Sequence, residues 1–192
     1  MTQPPPDLPP IVRSVSVQWP LEEAFHRFTA DFGKWWPHGT HSVGGALVKE
    51  VVFESREGGC IYEELRDGRR FQWGVIQHWD PPRRVVLSWH PGRPESSSQT
   101  VELLFTPEGM GTRLRLTSSD WERWGEGAAG AHRGYDIGWR WVLEYWSGRR
   151  YTPFMLGLGS LVQVMRVVQR FRGGQAAIIA KAEAEIAAAG RR

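Results

Sequence analysis

A single cysteine, Cys60, is all the thiol this 192-residue chain carries, which excludes an internal disulfide framework and fits a reducing cytoplasm. Charge of one sign is also lacking. The balance of 24 basic and 21 acidic residues leaves a formal +3, and no Arg/Lys block interleaves with aromatics in the part that reads as folded. Nucleic acid is therefore not an expected partner. No apolar run reaches the roughly eighteen residues of a membrane span, and a membrane partner is not expected. The opening MTQPPPDLPP has neither a cationic start nor an apolar core, so it does not read as a signal peptide. No Gly-rich loop follows a strand and opens a helix, and no Gly-x-Ser-x-Gly string occurs, so phosphate cradling and nucleophilic catalysis find no support. His38 and His41 share a loop, His90 ends a strand and His132 precedes a helix, with no carboxylate or thiolate at a telling distance. No metal and no cofactor are expected.

What the chain has in excess is tryptophan, eleven residues spread from Trp19 to Trp146. An indole is a large apolar surface with one N–H that wants an acceptor, and it suits cores, interfaces and ligand pockets alike. The stretch Glu54–Trp89 concentrates them. Asp67-Gly68 is a hairpin signal, and Asp80-Pro81-Pro82 interrupts pairing because proline cannot donate to a ladder. Strict alternation would put Phe71, Trp73, Val75 and Trp79 on one face and Val85, Leu87 and Trp89 together in the next run. Cys60, Tyr62 and Glu64 share one face of their strand, and Ile61, Glu63 and Leu65 share the other. Periodicity does not say which points inward.

In chain order, residues 1–10 hold five prolines and read as a disordered leader. Ile11–Val17 alternates as a strand. Pro20, Glu22 and Glu23 open a helix expected over Leu21–Phe32, ended by Gly33. Gly39–Gly45 is expected as loop. Val48–Phe53, Cys60–Leu65, Phe71–Trp79, Val85–Trp89, Thr100–Phe105 and Thr112–Thr117 complete seven strands, and Tyr135–Trp146 is a long helix with an aromatic stripe. An antiparallel meander curls, and the last helix is the natural cover for its concave side. Residues 151–192 read as a helical extension. Ser160 caps an apolar stripe of Leu161, Val164, Met165, Val168 and Phe171; Gly173-Gly174 interrupts, and Gln175–Ala189 carries Ile178, Ile179, Ala182 and Ile186 on one side. This extension is expected to pack back on the body, to join a second copy as a homodimer, or to lie on an anionic membrane through its arginines.

The order of elements resembles the SRPBCC or START-like superfamily, the helix-grip fold of the birch-pollen allergen, and within it the branch homologous to the activator of the heat-shock-90 chaperone ATPase. The strings carrying the likeness include Pro20-Leu21-Glu22-Glu23-Ala24-Phe25, Trp35-Trp36-Pro37, Gly58-Gly59-Cys60-Ile61-Tyr62-Glu63, Trp73-Gly74-Val75, Trp79-Asp80-Pro81-Pro82, Trp121-Glu122 and Gly134-Tyr135-Asp136-Ile137-Gly138-Trp139. It covers roughly residues 11–148. The resemblance implies an α+β domain over residues 11–150, with a seven-stranded curved antiparallel sheet wrapped around a long helix and a cavity between them. Members of the superfamily bind lipids, hydrophobic metabolites or polyketides, and some are cyclases or dehydratases.

The expected function is binding of a small hydrophobic or aromatic ligand, lipid- or polyketide-like, in a Trp-lined cavity. The candidate ligand-binding residues are Trp36, Tyr62, Trp73, Trp89, Asp120, Trp121, Tyr135 and Trp139. Trp73, Trp89 and Trp139 equally suit a filled core. Asp120 suits a helix or turn cap as well as a polar anchor at the mouth. One alternative is a cyclase or dehydratase in which a buried Glu63 or Glu64 with a raised pKa moves a proton. Another is a co-chaperone-like interaction module with a closed interior.

Overall fold

The structure is a computed structural model that describes residues 8–148 and 174–190. Most of the Pro-rich leader and the expected Leu161–Phe171 stripe lie outside the described residues. Seven strands form one antiparallel sheet in the order β1-β7-β6-β5-β4-β3-β2. They are β1 Ile11–Val17, β2 Val48–Phe53, β3 Cys60–Leu65, β4 Arg70–Asp80, β5 Arg84–Trp89, β6 Gln99–Glu108 and β7 Gly111–Ser119. The sheet curves as a half-barrel, and the helix α4, Ala128–Trp146, lies against it as in the helix-grip fold. Between β1 and β2 come α1 (Leu21–Thr29), α2 (Phe32–Trp35) and α3 (His38–His41), and α5 is Gln175–Ala189.

Three local outcomes differ from the sequence reading. The expected helix over Leu21–Phe32 is two pieces: the Thr29 hydroxyl donates to the Phe25 carbonyl at 2.8 Å, and the chain leaves helical geometry at Asp31 before α2 resumes. The expected loop Gly39–Gly45 overlaps α3, which begins at His38. The long helix begins at Ala128 instead of Tyr135, after Gly127 turns the chain at a φ of 81°.

Strand β4 departs most from simple alternation. Its pairing shifts register against β3 between Ile61 and Tyr62, and against β5 between Ile76 and His78. Each bulge inserts one residue and flips the faces that follow. Trp73 and Ile76 are therefore both fully buried, whereas Val75, expected beside Trp73, is half-buried. Gly74 sits at the crossing point. A Cβ there would lie 1.8 Å from the Ser88 carbonyl oxygen, so only glycine lets β4 and β5 approach this closely. Pro107 is tolerated inside β6 because β5 pairs only as far as Leu104, leaving the proline with no ladder bond to donate.

The interior between α4 and the sheet is filled at one end. Trp146 packs edge-on to Phe28 with centroids 5.2 Å apart and to Trp19 at 5.3 Å, and Phe25 meets both Trp79 (5.1 Å) and Phe105 (5.2 Å). These spacings are those of favourable aromatic pairs. At the other end, toward the start of α4, the packing opens.

Candidate functional site

A cavity of about 240 Å³ lies between the middle of α4, the end of β5, the α2–α3 segment and α5. Its inner walls are Trp36, Trp89, Trp139 and Val142; its rim runs through Thr40–Val43, Pro91 and Tyr135. Each wall residue is placed by a local rule. Alternation along β5 sends Val85, Leu87 and Trp89 inward together. Tyr135 and Trp139 stand one turn apart on α4, with rings 6.4 Å apart, and Gly134 and Gly138 leave the same face of the helix without side chains. Trp36 follows α2, where Pro37 ends helical geometry. Its ring stacks on Phe32 at 4.8 Å, and its indole N–H donates to the His41 carbonyl at 3.1 Å.

The rim is held by a buried carboxylate. Glu63 points to the inner side of β3 with no solvent exposure, and accepts hydrogen bonds from the backbone N–H of Val43 (3.0 Å) and Gly44 (2.6 Å). The contact requires glycine at 44, since a Cβ there would meet Leu65 Cδ2 at 2.1 Å. Ser42 Oγ accepts from Gly45 N–H at 3.1 Å, and Thr40 Oγ1 lies 2.8 Å from His41 Nδ1, so the polar groups of the rim are ordered among themselves. The indole N–H groups of Trp89 and Trp139, whose rings are 5.2 Å apart, are buried without an acceptor, as are those of Trp73, Trp141 and Trp146 away from the cavity.

Four of the residues nominated from sequence line this cavity: Trp36, Trp89, Tyr135 and Trp139. Trp73 is fully buried behind them, 5.3 Å from Trp36 and 5.6 Å from Trp89 by ring centroid. Trp121 is buried beyond the start of α4, its N–H donated to the Ser118 carbonyl and its ring edge-on to His132 and Tyr135. Asp120 adopts a left-handed φ of 62° and accepts from Thr100 Oγ1 at 2.5 Å, with Arg123 at 3.5 Å. It belongs to the turn after β7 and does not line the cavity. Tyr62 lies on the outer face of the sheet, where the Arg70 guanidinium sits 5.1 Å from its ring centre.

The two carboxylates separate in the same way. Glu64 shares the outer face with Tyr62 and is held between Lys49 (2.7 Å) and Arg70 (2.6 Å). The Lys49 hydrogen bond, followed by that of Arg70, lowers its pKa, the reverse of the rise a general acid would need. Glu63 is the inward one, but its carboxylate faces the Val43–Gly44 backbone, and it is not among the lining residues. Sequence reasoning missed Thr40, His41, Ser42, Val43, Pro91, Gly134, Gly138, Val142 and Ile178. Of these, Gly134 and Gly138 left a readable signal: two glycines four apart, each followed by an aromatic residue.

Among the described residues no group of three or more His, Cys, Asp or Glu is placed to hold a metal, and no helix is long and apolar enough to cross a membrane.

Comparison with known proteins agrees with this architecture. The solution structure of CalC from Micromonospora echinospora, described as a self-sacrificing resistance protein, is 25% identical, with a TM-score of 0.54 over 74% of this chain and 94% of that one. CalU16 from the same organism is 21% identical, with a TM-score of 0.53 over 86% of this chain and 88% of its own. The anthrahydroquino-gamma-pyrone synthase Txn09 is 32% identical over 67% of this chain and 88% of its own, with a TM-score of 0.48. A search of curated proteins gives no significant match. Residues 18–144, which include every strand from β2 to β7 and all but the last turn of α4, match the family described as Activator of Hsp90 ATPase homolog 1-like protein, and the chain belongs to that family.

Proposed function

We propose that this protein binds a small, flat aromatic molecule carrying a carbonyl or phenolate oxygen in the cavity between Trp36, Trp89 and Trp139. The observation that carries the reading is a 240 Å³ space walled by indoles, two of which hold buried N–H groups without acceptors. The space exceeds the ~150 Å³ that accepts benzene in an engineered apolar cavity. A buried donor without a partner costs roughly 1–3 kcal/mol, which a ligand oxygen recovers once the ring turns to bring its N–H to the cavity surface. Burying one aromatic face of roughly 150–250 Å² adds about 4–6 kcal/mol before the ordering costs of association. An aliphatic chain gains the apolar part of this and none of the polar part. That difference favours an aromatic, polyketide-like ligand over a simple lipid.

An enzymatic reading has a specific support of another kind. Neither Glu63 nor Glu64 lines the cavity, but His41 does, with Thr40 Oγ1 beside its Nδ1. A proton-moving role therefore passes from the carboxylates to the imidazole.

Tryptophan emission titrated with 7-hydroxyflavone, a flat aromatic ketone with a phenol, and in parallel with palmitate tests the binding reading. Saturable quenching by the flavone, lost in Trp139→Ala with the far-UV spectrum retained, is the expected result. Equal quenching by palmitate would remove the argument from the indole N–H groups, and no saturation with either probe would remove the binding reading.

A further inference from the structure

One residue of the cavity lining comes from outside the segment that matches the family. Every described lining residue falls within residues 36–142 except Ile178, which reaches the cavity from α5. Helix α5 is fastened to three separate loops around the mouth. The Gln175 side-chain amide donates to the Val43 carbonyl, on the rim segment that Glu63 holds in place. Gly45 lies under the same glutamine. It holds a φ of 55°, which favours glycine, and a Cβ there would stand 2.3 Å from Gln175 Oε1 and displace the amide. Two turns on, Ala182 is buried against Gly92 of the loop after β5, where a Cβ would meet Val43 Cγ2 at 2.9 Å and Ala182 Cβ at 3.4 Å. Toward the helix end, Glu183 pairs with Arg69 of the β3–β4 turn at 2.9 Å and Glu185 with Arg93 at 3.6 Å. Gln175, Ile178, Ile179 and Ala182 share the face turned to the body, as i, i+3, i+4 and i+7 spacing requires.

The attachments differ in kind from those of the core. Ile179 and Ala182 are the buried residues of this helix, the Arg69–Glu183 pair is solvent-exposed and screened by salt, the Arg93–Glu185 pair is half-buried, and Ile178 itself is 37% exposed. A helix held this lightly at the open end of a cavity can leave without disturbing the sheet. We propose that α5 is the movable outer wall of the cavity, with Ile178 as the residue that limits the size of the molecule admitted. This rests on the reading that the cavity takes a ligand, but the position of the helix can be tested without one.

The test uses the full chain and two variants. Gln175→Ala combined with Glu185→Gln removes two fastenings and leaves the cavity lining intact; Ile178→Trp extends the wall inward. Acrylamide quenching of tryptophan emission reports access to the indole wall with no ligand present. The fastening variant is expected to give a steeper Stern–Volmer slope at an unchanged unfolding midpoint, and wild-type protein a slope that steepens with added salt. In the second arm, Ile178→Trp is expected to weaken 7-hydroxyflavone about tenfold or more, equivalent to ~1.4 kcal/mol. A slope identical to wild type in the fastening variant overturns the proposal, as does unchanged flavone affinity in Ile178→Trp. Should the flavone bind no form of the protein while the slope still steepens, the ligand reading fails and the helix remains the cover of the cavity.

Discussion

Gly138 offers the sharpest trade between stability and space. It lies in the middle of α4, where glycine is roughly 0.8–1.0 kcal/mol less favourable than alanine because it orders more backbone for no side-chain contact. It is buried on the cavity face, and a Cβ built on it meets no atom within 4 Å. Gly138→Ala should therefore raise unfolding stability by about 1 kcal/mol, and the melting midpoint by about 2–4 °C for a chain of this size. Gly138→Leu directs four carbons into a cavity of about 240 Å³ between Trp36, Trp89 and Trp139. It should keep or exceed wild-type stability, since apolar atoms fill apolar space, and should weaken 7-hydroxyflavone at least about tenfold. Thermal unfolding and fluorescence titration on the same samples provide the two readings. A destabilised Gly138→Ala would show that the space is not open. A Gly138→Leu protein that is stable yet binds as wild type would show that ligand and cavity are unrelated.

Other perturbations separate core from site. Trp73→Ala, which empties a fully buried position behind the cavity wall, should cost about 3–5 kcal/mol in denaturant unfolding. Glu63→Gln places an amide donor against the N–H groups of Val43 and Gly44 and should cost about 1–3 kcal/mol, with a parallel loss of flavone affinity because the rim loosens. Glu64 is ionised more readily in the folded chain than in the unfolded one, owing first to Lys49 and then to Arg70. Its contribution is thus present above the ordinary glutamate value near 4.5 and is lost as the pH falls through the lower folded value. Glu64→Gln should flatten the acid limb of the stability profile below pH 4.5 and leave flavone binding at neutral pH unchanged.

Much of the fold is legible because its signals are local. Alternation in Ile11–Val17 and Val85–Trp89, the Asp67-Gly68 hairpin and the aromatic stripe from Tyr135 to Trp146 each act over a few residues and each predicts the element found. The bulges in β4 are not of this kind. The first lies beside Gly74, which comes almost onto the Ser88 carbonyl, a contact between strands that no window of β4 contains, and the second falls between Ile76 and His78. The same division governs the site. Trp89 and Trp139 were readable as inward because periodicity sets the face of a strand or helix. Tyr62 and Glu63 were not, because the pattern of Cys60–Leu65 is polar and apolar on both faces and only the neighbouring loop decides between them. Thr40–Val43 and Ile178 reach the cavity through tertiary contacts with Glu63, Gly45 and Gly92, far from their own sequence context.

In the proposed complex the unpartnered indole N–H groups of Trp89 and Trp139 receive the oxygen of the bound molecule. The eleven indole N–H resonances of the ¹⁵N-labelled protein, assigned through Trp→Phe variants, report on this directly during titration with 7-hydroxyflavone. Downfield movement of the Trp89 and Trp139 N–H signals, saturating together, is expected, with the Trp121 signal, already donated to the Ser118 carbonyl, in place. Saturable binding that leaves both of those signals where they were would contradict it.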